Sequence, residues 1–185
     1  MSKAKNTTRP RSTSKTIQRS SDPIVSCSEL VTGDGTINEC EFGLVMAHNA
    51  FQRWMTRCMA AAGASDLNAL DILVLHQVHH RKRQKRLSDI CFVLNIEDSH
   101  TVSYALKKLV QKELVGSHRR GKETLFSISV RGQQLCHRYR EVRELCLLGP
   151  SEFGQQNSAD LTAIATQLRA LSGWYDQAAR SAASL

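Results

Sequence analysis

Two long stretches of helical periodicity, one near each end of the chain, constrain the fold most. In residues 37–62 apolar side chains recur at alternating spacings of three and four, which is typical of a helix with a coiled-coil-like seam. They are Ile37, Cys40, Leu44, Ala47, Phe51, Trp54 and Cys58. Residues 158–180 repeat the spacing with Leu161, Ile164, Leu168, Leu171, Tyr175 and Ala178. A chain of 185 residues does not easily bury both seams on one central unit. The pattern therefore favours helices that pair with a second copy, with packing on their own core as the alternative.

Shorter elements fill the stretch between these helices. Apolar periodicity predicts helices over residues 67–80, 87–94 and 99–113. Residues 115–130 change to strand character around a glycine-containing turn and indicate a small β-hairpin with a basic tip. Helical character resumes at about Arg131. The order is therefore helix, helix, short helix, helix, hairpin, helix, helix.

Local signals set the ends of these elements. Gly63 is expected to end the first long helix, and Asp66 to cap the helix that follows. Asn95 is expected to take the left-handed turn after the short helix. Asp98 or Ser99 is expected to cap the helix that follows this turn.

The predicted fold class is mainly α with a small β-hairpin wing, a winged helix-turn-helix with long amino- and carboxy-terminal dimerisation helices. Residues 1–35 are basic, rich in hydroxyl side chains and poor in apolar ones, and are expected to form a disordered arm. Residues 36–182 are expected to form the regulator domain. Within it, 36–62 and 131–182 are the dimerisation helices and 66–130 is the DNA-binding unit.

Positive charge is concentrated in one part of the sequence. The formal net charge is +8, and residues 76–122 contain eleven Lys or Arg against four Asp or Glu. A concentrated basic stretch is what a polyanionic partner requires, although a basic surface kept for solubility looks the same by charge alone. Residues 81–86 (Arg-Lys-Arg-Gln-Lys-Arg) are read either as a solvated loop or as a phosphate clamp.

The predicted DNA-contacting residues lie on the fourth helix and the hairpin. Positions that alternate with the apolar stripe of the fourth helix carry side chains that hydrogen-bond bases or phosphates. They are Ser99, His100, Thr101, Ser103, Tyr104, Lys107 and Lys108. Arg119, Arg120 and Lys122 at the hairpin are expected to reach the adjacent minor groove or the DNA backbone.

Over residues 87–132 the sequence resembles the MarR family of transcription regulators, and a looser likeness extends from Ile37 to Ala179. The resemblance rests on Leu-Ser-Asp-Ile-Cys at 87–91, Thr-Val-Ser-Tyr-Ala-Leu-Lys-Lys-Leu-Val-Gln-Lys-Glu-Leu-Val at 101–115, the arginine pair at 119–120, and Ser-Val-Arg-Gly-Gln-Gln-Leu at 129–135. It implies a dimer formed by the first and last helices that binds palindromic promoter DNA. Many relatives release DNA when they bind a small aromatic ligand or when a cysteine is oxidised.

The sequence departs from the family pattern at three places. Glu113 stands where the family usually has glycine, and His118 where it usually has aspartate. The loop at residues 95–98 is one residue longer than usual and contains Glu97 and Asp98. These two acids would repel phosphates unless they cap the helix or accept a hydrogen bond from cytosine.

Other combinations of residues indicate a site only weakly. His76, His79 and His80 have metal-ligand spacing but no neighbouring carboxylate or cysteine in the sequence, so solvated histidines are the simpler interpretation. Six scattered cysteines favour reduced thiols, with Cys27 and Cys40 as candidates for a redox sensor.

The sequence therefore predicts sequence-specific binding of double-stranded DNA by a homodimeric, cytoplasmic transcription regulator, most simply a repressor. The alternatives are a winged-helix protein-interaction module and a sensor that responds to a small-molecule effector or to thiol oxidation. No dinucleotide-binding, P-loop or nucleophile-elbow motif is present, so an enzyme is not expected. No cofactor, metal or membrane contact is predicted.

Overall fold

The computed structural model describes residues 35–149 and 158–185. The expected disordered arm and Cys27 lie outside these residues, apart from Gly35 at the arm's end. In chain order the helices and strands are α1 Thr36–Ala61, α2 Ala69–His79, a 3-10 turn His80–Lys82, α3 Leu87–Leu94, α4 Ser99–Gln111, β1 Val115–Arg120, β2 Glu123–Ile128, α5 Val130–Arg143, a π-helical turn Glu144–Leu148 and α6 Ser158–Ala182. The predicted fold class, mainly helical with one hairpin, is confirmed.

The chain divides into two compact units between His48 and Asn49, within α1. On the amino-terminal half of α1, Ile37, Val45 and Met46 are about half exposed. The second unit contains the rest of α1 and every later element. Its core combines the carboxy-terminal half of α1 with α2, α3, α4, the hairpin and α5. The largest buried side chains are Met55, Met59, Ile72, Leu75, Ile90, Leu106 and Leu109.

Helix α1 ends as expected, and α2 begins two residues later than expected. Gly63 has φ +104, a conformation that favours glycine, and the Ala64 amide donates to the Met59 carbonyl at 3.0 Å. The cap of α2 is Asn68, whose side chain accepts from the Asp71 amide at 2.9 Å, while the Asp71 carboxylate accepts from the Asn68 amide at 3.0 Å. The expectation that Asp66 caps this helix is wrong, because the reciprocal capping box forms at Asn68.

The turn between α3 and α4 follows its local signals. Asn95 has φ +52 and ψ +47, the left-handed conformation expected of it. Asp98 is the amino-terminal cap of α4, and its carboxylate accepts from the His100 amide at 2.9 Å. These two residues fix the angle at which α4 leaves α3.

The hairpin begins at Val115, as predicted, but its turn is shorter than predicted. Val115 pairs with Ile128 at its base and Arg120 with Glu123 at its end, around the two-residue turn Gly121-Lys122. Gly121 has φ +62, which primed hairpin turns require. The basic residues at 118–120, expected in the turn, therefore lie in strand β1.

Helix α5 is attached closely to the end of α4. The Ser129 side chain caps α5 by accepting from the Gly132 amide at 2.9 Å, and its hydroxyl donates to the Glu113 carbonyl at 2.7 Å. Glu113 has φ +57 and ends α4 in the left-handed conformation that glycine adopts most easily. This geometry explains why the family pattern usually has glycine at this position, where the sequence has Glu113.

Candidate nucleic-acid interface

Helix α4 presents a polar face because its apolar face is fixed to the core. Val102, Ala105, Leu106 and Leu109 are buried. The side chains that alternate with them point away from the core. The predicted contact residues that are exposed on α4 are Ser99, His100, Thr101, Tyr104 and Lys107. Ser103 is half-buried. The structure thus brings most of the predicted contact residues together on one surface of one helix.

The amino-terminal turn of α4 uses several of its polar groups internally. The Thr101 hydroxyl donates to the Asp98 carbonyl at 2.8 Å, and the Asp98 carboxylate caps the helix. The negative charge of Asp98 therefore lies at the positive end of the dipole of α4, where it stabilises the helix. Glu97 is exposed beside it.

Two neighbouring lysines of α4 have different environments. The Lys107 ammonium is exposed and lies 5.4 Å from the centre of the Tyr104 ring, within range of a cation–π contact. The Lys108 ammonium lies 2.6 Å from Oδ2 of buried Asp71 and 2.7 Å from the Asp66 carbonyl. Lys108 therefore ties α4 to the start of α2, and its charge is already paired.

A second contact of the same kind lies one turn further along α4. Lys112 pairs with the Asp66 carboxylate, and this hydrogen bond lowers the pKa of Asp66 below its usual range. Asp66, expected as a helix cap, thus serves as the partner of both lysines. These pairs involve residues about 40 positions apart, so no local pattern in the sequence indicates them.

The hairpin register separates the basic residues of the wing. Side chains directly opposite each other on paired strands share a face, and successive residues alternate. Arg119 pairs with Thr124 and so shares a face with Ser117, whereas Arg120 pairs with Glu123 on the other face. The Arg119 guanidinium donates to the Gly121 carbonyl at 3.2 Å. Lys122 is exposed in the turn.

A groove of about 770 Å³ lies between α4, the start of α3 and the hairpin. Hydroxyl side chains occur on every side of it, from Ser88, Ser103, Ser117 and Thr124. Its charged residues are Lys107, Arg86 and Glu123, of which Arg86 and Glu123 form a pair at 3.1 Å. Ser88, Ser117 and Thr124 were not singled out at the sequence level, whereas Arg86 belongs to the basic run at residues 81–86. With the correct strand bounds, the two-residue alternation of β1 and β2 would have placed Ser117 and Thr124 on one face of the hairpin.

The basic run at residues 81–86 is only partly solvated. Lys85 is buried, and its backbone pairs with Phe126 of β2 through hydrogen bonds of 2.8 and 2.9 Å. Its ammonium donates to the His80 carbonyl, and burial lowers its pKa. Arg83 and Arg86 remain exposed. The run therefore attaches the hairpin to the start of α3.

A separate cleft of about 840 Å³ lies between the carboxy-terminal half of α1, α2 and α5. Its lining is mainly aromatic and apolar, with Phe51, Trp54, Leu73 and Tyr139, and it includes Arg140 and Arg143. His76 packs edge-on against Tyr139 with ring centres 4.6 Å apart. Burial, then the neighbouring His79 and Arg143, lower the pKa of His76 to about 4. Burial raises the pKa of Tyr139 to about 12.

The structure bears differently on the metal site and the redox cysteines that the sequence indicates weakly. His, Cys, Asp and Glu side chains do not gather into a metal-binding group in residues 35–149 and 158–185. Cys58 and Cys136 are buried, and burial raises the pKa of both thiols, that of Cys136 to about 11. Cys40 is exposed, as the redox hypothesis requires. Helices long and apolar enough to cross a membrane are not found among the described residues.

Comparison with known proteins agrees with this geometry. Residues 67–132 match the family model of a winged helix DNA-binding domain. Comparison with curated proteins found no match. Among solved structures, reduced AbfR bound to DNA is similar with 20% identity and a TM-score of 0.63, covering 75% of this chain and 94% of that one. The structure of AbfR of Staphylococcus epidermidis is similar with 17% identity and a TM-score of 0.62, covering 76% of this chain and 92% of that one.

A MarR-family transcriptional regulator from Rhodococcus sp. RHA1 is similar with 11% identity and a TM-score of 0.57, covering 75% of this chain and 96% of that one. The model match covers the helices and hairpin that present the polar face, and the structural likeness extends over most of the chain. The chain therefore has a MarR-like winged helix-turn-helix fold, and residues 67–132 are the part of it that matches winged helix DNA-binding domains.

Proposed function

We propose that this protein is a homodimeric transcription regulator that binds double-stranded DNA sequence-specifically and acts as a repressor in the cytoplasm. The observation that carries the proposal is the exposed polar face of α4 beside a basic hairpin, within a winged helix DNA-binding domain. An α-helix with such a face fits the major groove of B-DNA, where each base pair presents a distinct set of donors and acceptors.

The two elements have different tasks in this proposal. Ser99, His100, Ser103 and Tyr104 read base edges from α4, with Thr101 beside them, and Lys107 neutralises a phosphate. Arg119, Arg120 and Lys122 of the wing reach the adjacent minor groove or its backbone. Lys108, which the sequence grouped with these residues, is assigned to holding α4 in place because its ammonium is paired with Asp71.

The exposed apolar seam of α6 supports the homodimer. This helix has 25 residues, and none of them is buried. Ile164 and Leu168 on its seam are each 48% exposed, and Trp174 is 70% exposed. An amphipathic helix of this length gains most of its stability by burying its apolar face. A second copy of the chain is the occupant that the family resemblance implies. A two-fold dimer would set two recognition helices about 34 Å apart along DNA.

The test is selection from a library of random DNA duplexes at rising salt, followed by sequencing of the bound fraction. A two-fold symmetric motif with half-sites about one helical turn apart is expected. Retention of no preferred sequence at any salt concentration would contradict specific regulation. Repression is tested by placing the selected motif across a promoter and measuring transcription with and without the protein, where unchanged transcription would contradict a repressor.

A ligand-responsive regulator is the second candidate, and the cleft between α1, α2 and α5 favours it. The apolar, aromatic lining beside Arg140 and Arg143 suits a small aromatic acid. BpsR of Bordetella bronchiseptica, similar with 24% identity and a TM-score of 0.51 over 69% of this chain and 91% of that one, has its DNA binding regulated by 6-hydroxynicotinic acid. Thermal shifts and DNA release with 6-hydroxynicotinic acid and benzoic acid test this candidate. No shift with either acid would count against it.

The protein-interaction module keeps less support. Its support in the sequence is the acidic pair Glu97 and Asp98, at the end of the molecule proposed to face DNA, and Asp98 caps α4. Because the Asp98 carboxylate is used in capping the helix, only Glu97 remains as an acidic group that would favour a basic protein partner.

A further inference from the structure

A further groove, of about 1130 Å³, lies between α3, the segment that precedes α3, and the face of the hairpin that carries Arg120. Ile90 attaches α3 to the core, where it is fully buried. Phe92 and Val93 line the groove instead, and they are 86% and 57% exposed. Adjacent apolar residues that are exposed and surrounded by polar ones are typical of a surface that binds another protein.

Three arginines surround these apolar side chains, namely Arg83, Arg86 and Arg120. Arg86 is paired with the Glu123 carboxylate at 3.1 Å. Arg83 and Arg120 are exposed, and neither forms an ion pair within residues 35–149 and 158–185. Aromatic residues and arginine are enriched at protein–protein interfaces. The groove therefore offers two available positive charges beside an apolar surface.

We infer that this groove binds an acidic segment of a partner protein. An apolar side chain of that segment packs against Phe92 and Val93, and its carboxylates pair with Arg83 and Arg120. The desolvated apolar contact supplies most of the affinity, and the complementary charge supplies specificity and a faster association. The groove is separate from the polar face of α4, so this interaction goes beyond the proposed function.

The mixed charge of the groove favours a protein over a nucleic acid. It contains two carboxylates besides the arginines, from Asp89 and Glu123. The Asp89 carboxylate accepts from the Arg86 amide at 3.0 Å, which keeps it at the start of α3. A continuous row of phosphates would meet both carboxylates and would find no hydrogen-bond donor on Phe92. A peptide can place a carboxylate at Arg83 and an apolar side chain at Phe92.

The amino-terminal segment of this chain does not complement the groove. Residues 1–34 contain six Lys or Arg against three Asp or Glu, so their net charge has the same sign as the arginines of the groove. Like charges that face each other across an interface oppose association. The charge therefore indicates a separate, acidic partner.

The test selects binders from a displayed library of short random peptides, with the full-length protein as the target. Enriched peptides are synthesised with a fluorescent label, and their binding is measured by anisotropy. We expect peptides that combine Asp or Glu with apolar residues. F92S should weaken their binding by about tenfold or more. R83A should weaken it by about threefold at low salt and by less at high salt.

The matched control is V130S. Val130 is 71% exposed at the start of α5 and does not line the groove, so V130S should bind the peptides as the wild type does. Phe92 and Val130 are both largely exposed, so neither substitution should change Tm appreciably. Arg120 is not varied because the proposed function assigns it to DNA.

Enrichment of no peptide, or equal binding of the enriched peptides to F92S and to the wild type, would overturn the inference. Weaker DNA binding by F92S and R83A would assign the groove to nucleic acid instead. A smaller oligomer of F92S in sedimentation would assign it to a second copy of the chain, and either result also overturns the inference.

Failure of this inference is distinguishable from failure of the proposed function. F92S and R83A change no residue assigned to DNA, so both are expected to bind DNA as the wild type does. If DNA binding is normal and no peptide depends on Phe92, the groove assignment fails and the regulator stands. If the wild type prefers no DNA sequence, the proposed function fails whatever the peptides do.

Discussion

The ammonium of Lys108 lies 2.6 Å from a carboxylate oxygen of Asp71, whose side chain is only 3% exposed. This pair joins the recognition helix to the start of α2 across 37 positions of sequence. Asp71 also accepts from the Asn68 amide as part of the cap of α2. The neighbouring Lys107 is exposed. Two adjacent lysines therefore separate into one that holds the helix and one that is free to meet a phosphate.

The first prediction compares K108M with K107M. Removing Lys108 leaves a buried carboxylate without its cation, so K108M should lower the free energy of unfolding by about 2–3 kcal/mol. K107M should change it by less than about 0.5 kcal/mol but reduce the salt slope of DNA binding by about one. Urea unfolding and fluorescence anisotropy at several salt concentrations measure the two effects. Equal stability of the two variants would contradict the role assigned to Lys108.

The second prediction concerns the left-handed residue at the end of α4. Glu113 has φ +57, a conformation that costs a residue with a side chain roughly 1–2 kcal/mol relative to glycine. E113G should therefore be more stable than E113A by about 1 kcal/mol. Both variants lose the exposed ion pair with Arg131. The difference between their free energies of unfolding therefore reports the cost of the left-handed backbone conformation. Thermal unfolding of both proteins measures it, and a less stable E113G would be inconsistent with the strain.

The third prediction tests the contact between α5 and the end of α4. A Cβ atom on Gly132 would lie 2.1 Å from the Leu114 carbonyl oxygen and 2.6 Å from Cδ1 of Ile128. G132A should therefore destabilise the fold by roughly 3 kcal/mol or more, since overpacking against backbone leaves no room to relax. G173A in α6 is the control, because nothing lies within 4 Å of its added Cβ. There alanine should stabilise the helix slightly. Urea unfolding compares the two, and similar stabilities would refute the close contact.

The fourth prediction is a pH dependence that originates at His76. Its pKa is lowered to about 4 from an ordinary 6.5, so the unfolded chain binds a proton at a higher pH than the folded chain does. Stability from this residue is therefore present above pH 6.5 and is lost as the pH falls toward 4. Between pH 7 and 5 the loss should be roughly 2 kcal/mol.

The matched protein for this measurement is H76F, which keeps an aromatic ring against Tyr139. Chemical unfolding at fixed protein concentration, repeated at each pH, should show a smaller decline for H76F than for the wild type. Groups that titrate alike in both proteins cancel in the difference. Parallel curves for the two proteins would show that His76 is not the source.

Local interactions explain why much of the fold could be predicted. Gly63, Asn95 and Asp98 ended or began helices where expected, because a cap or a left-handed residue acts on backbone groups within four positions. The exposed face of α4 followed from the same reasoning, since its buried positions recur every three or four residues. The cap at Asp66 was predicted wrongly because two acceptors lay close together, and Asn68 alone completes a reciprocal box with Asp71.

The sequence by itself determined the helices, the hairpin and the face of α4, because those depend on periodicity and on neighbours along the chain. Only the tertiary structure decided which basic residues remain available to a partner. Lys108 is paired with Asp71, and Lys85 is buried beside Phe126. The register of the hairpin places Arg119 and Arg120 on opposite faces. Each outcome depends on a partner distant in sequence or on the strand bounds, and the charge of a side chain does not reveal which partner it has.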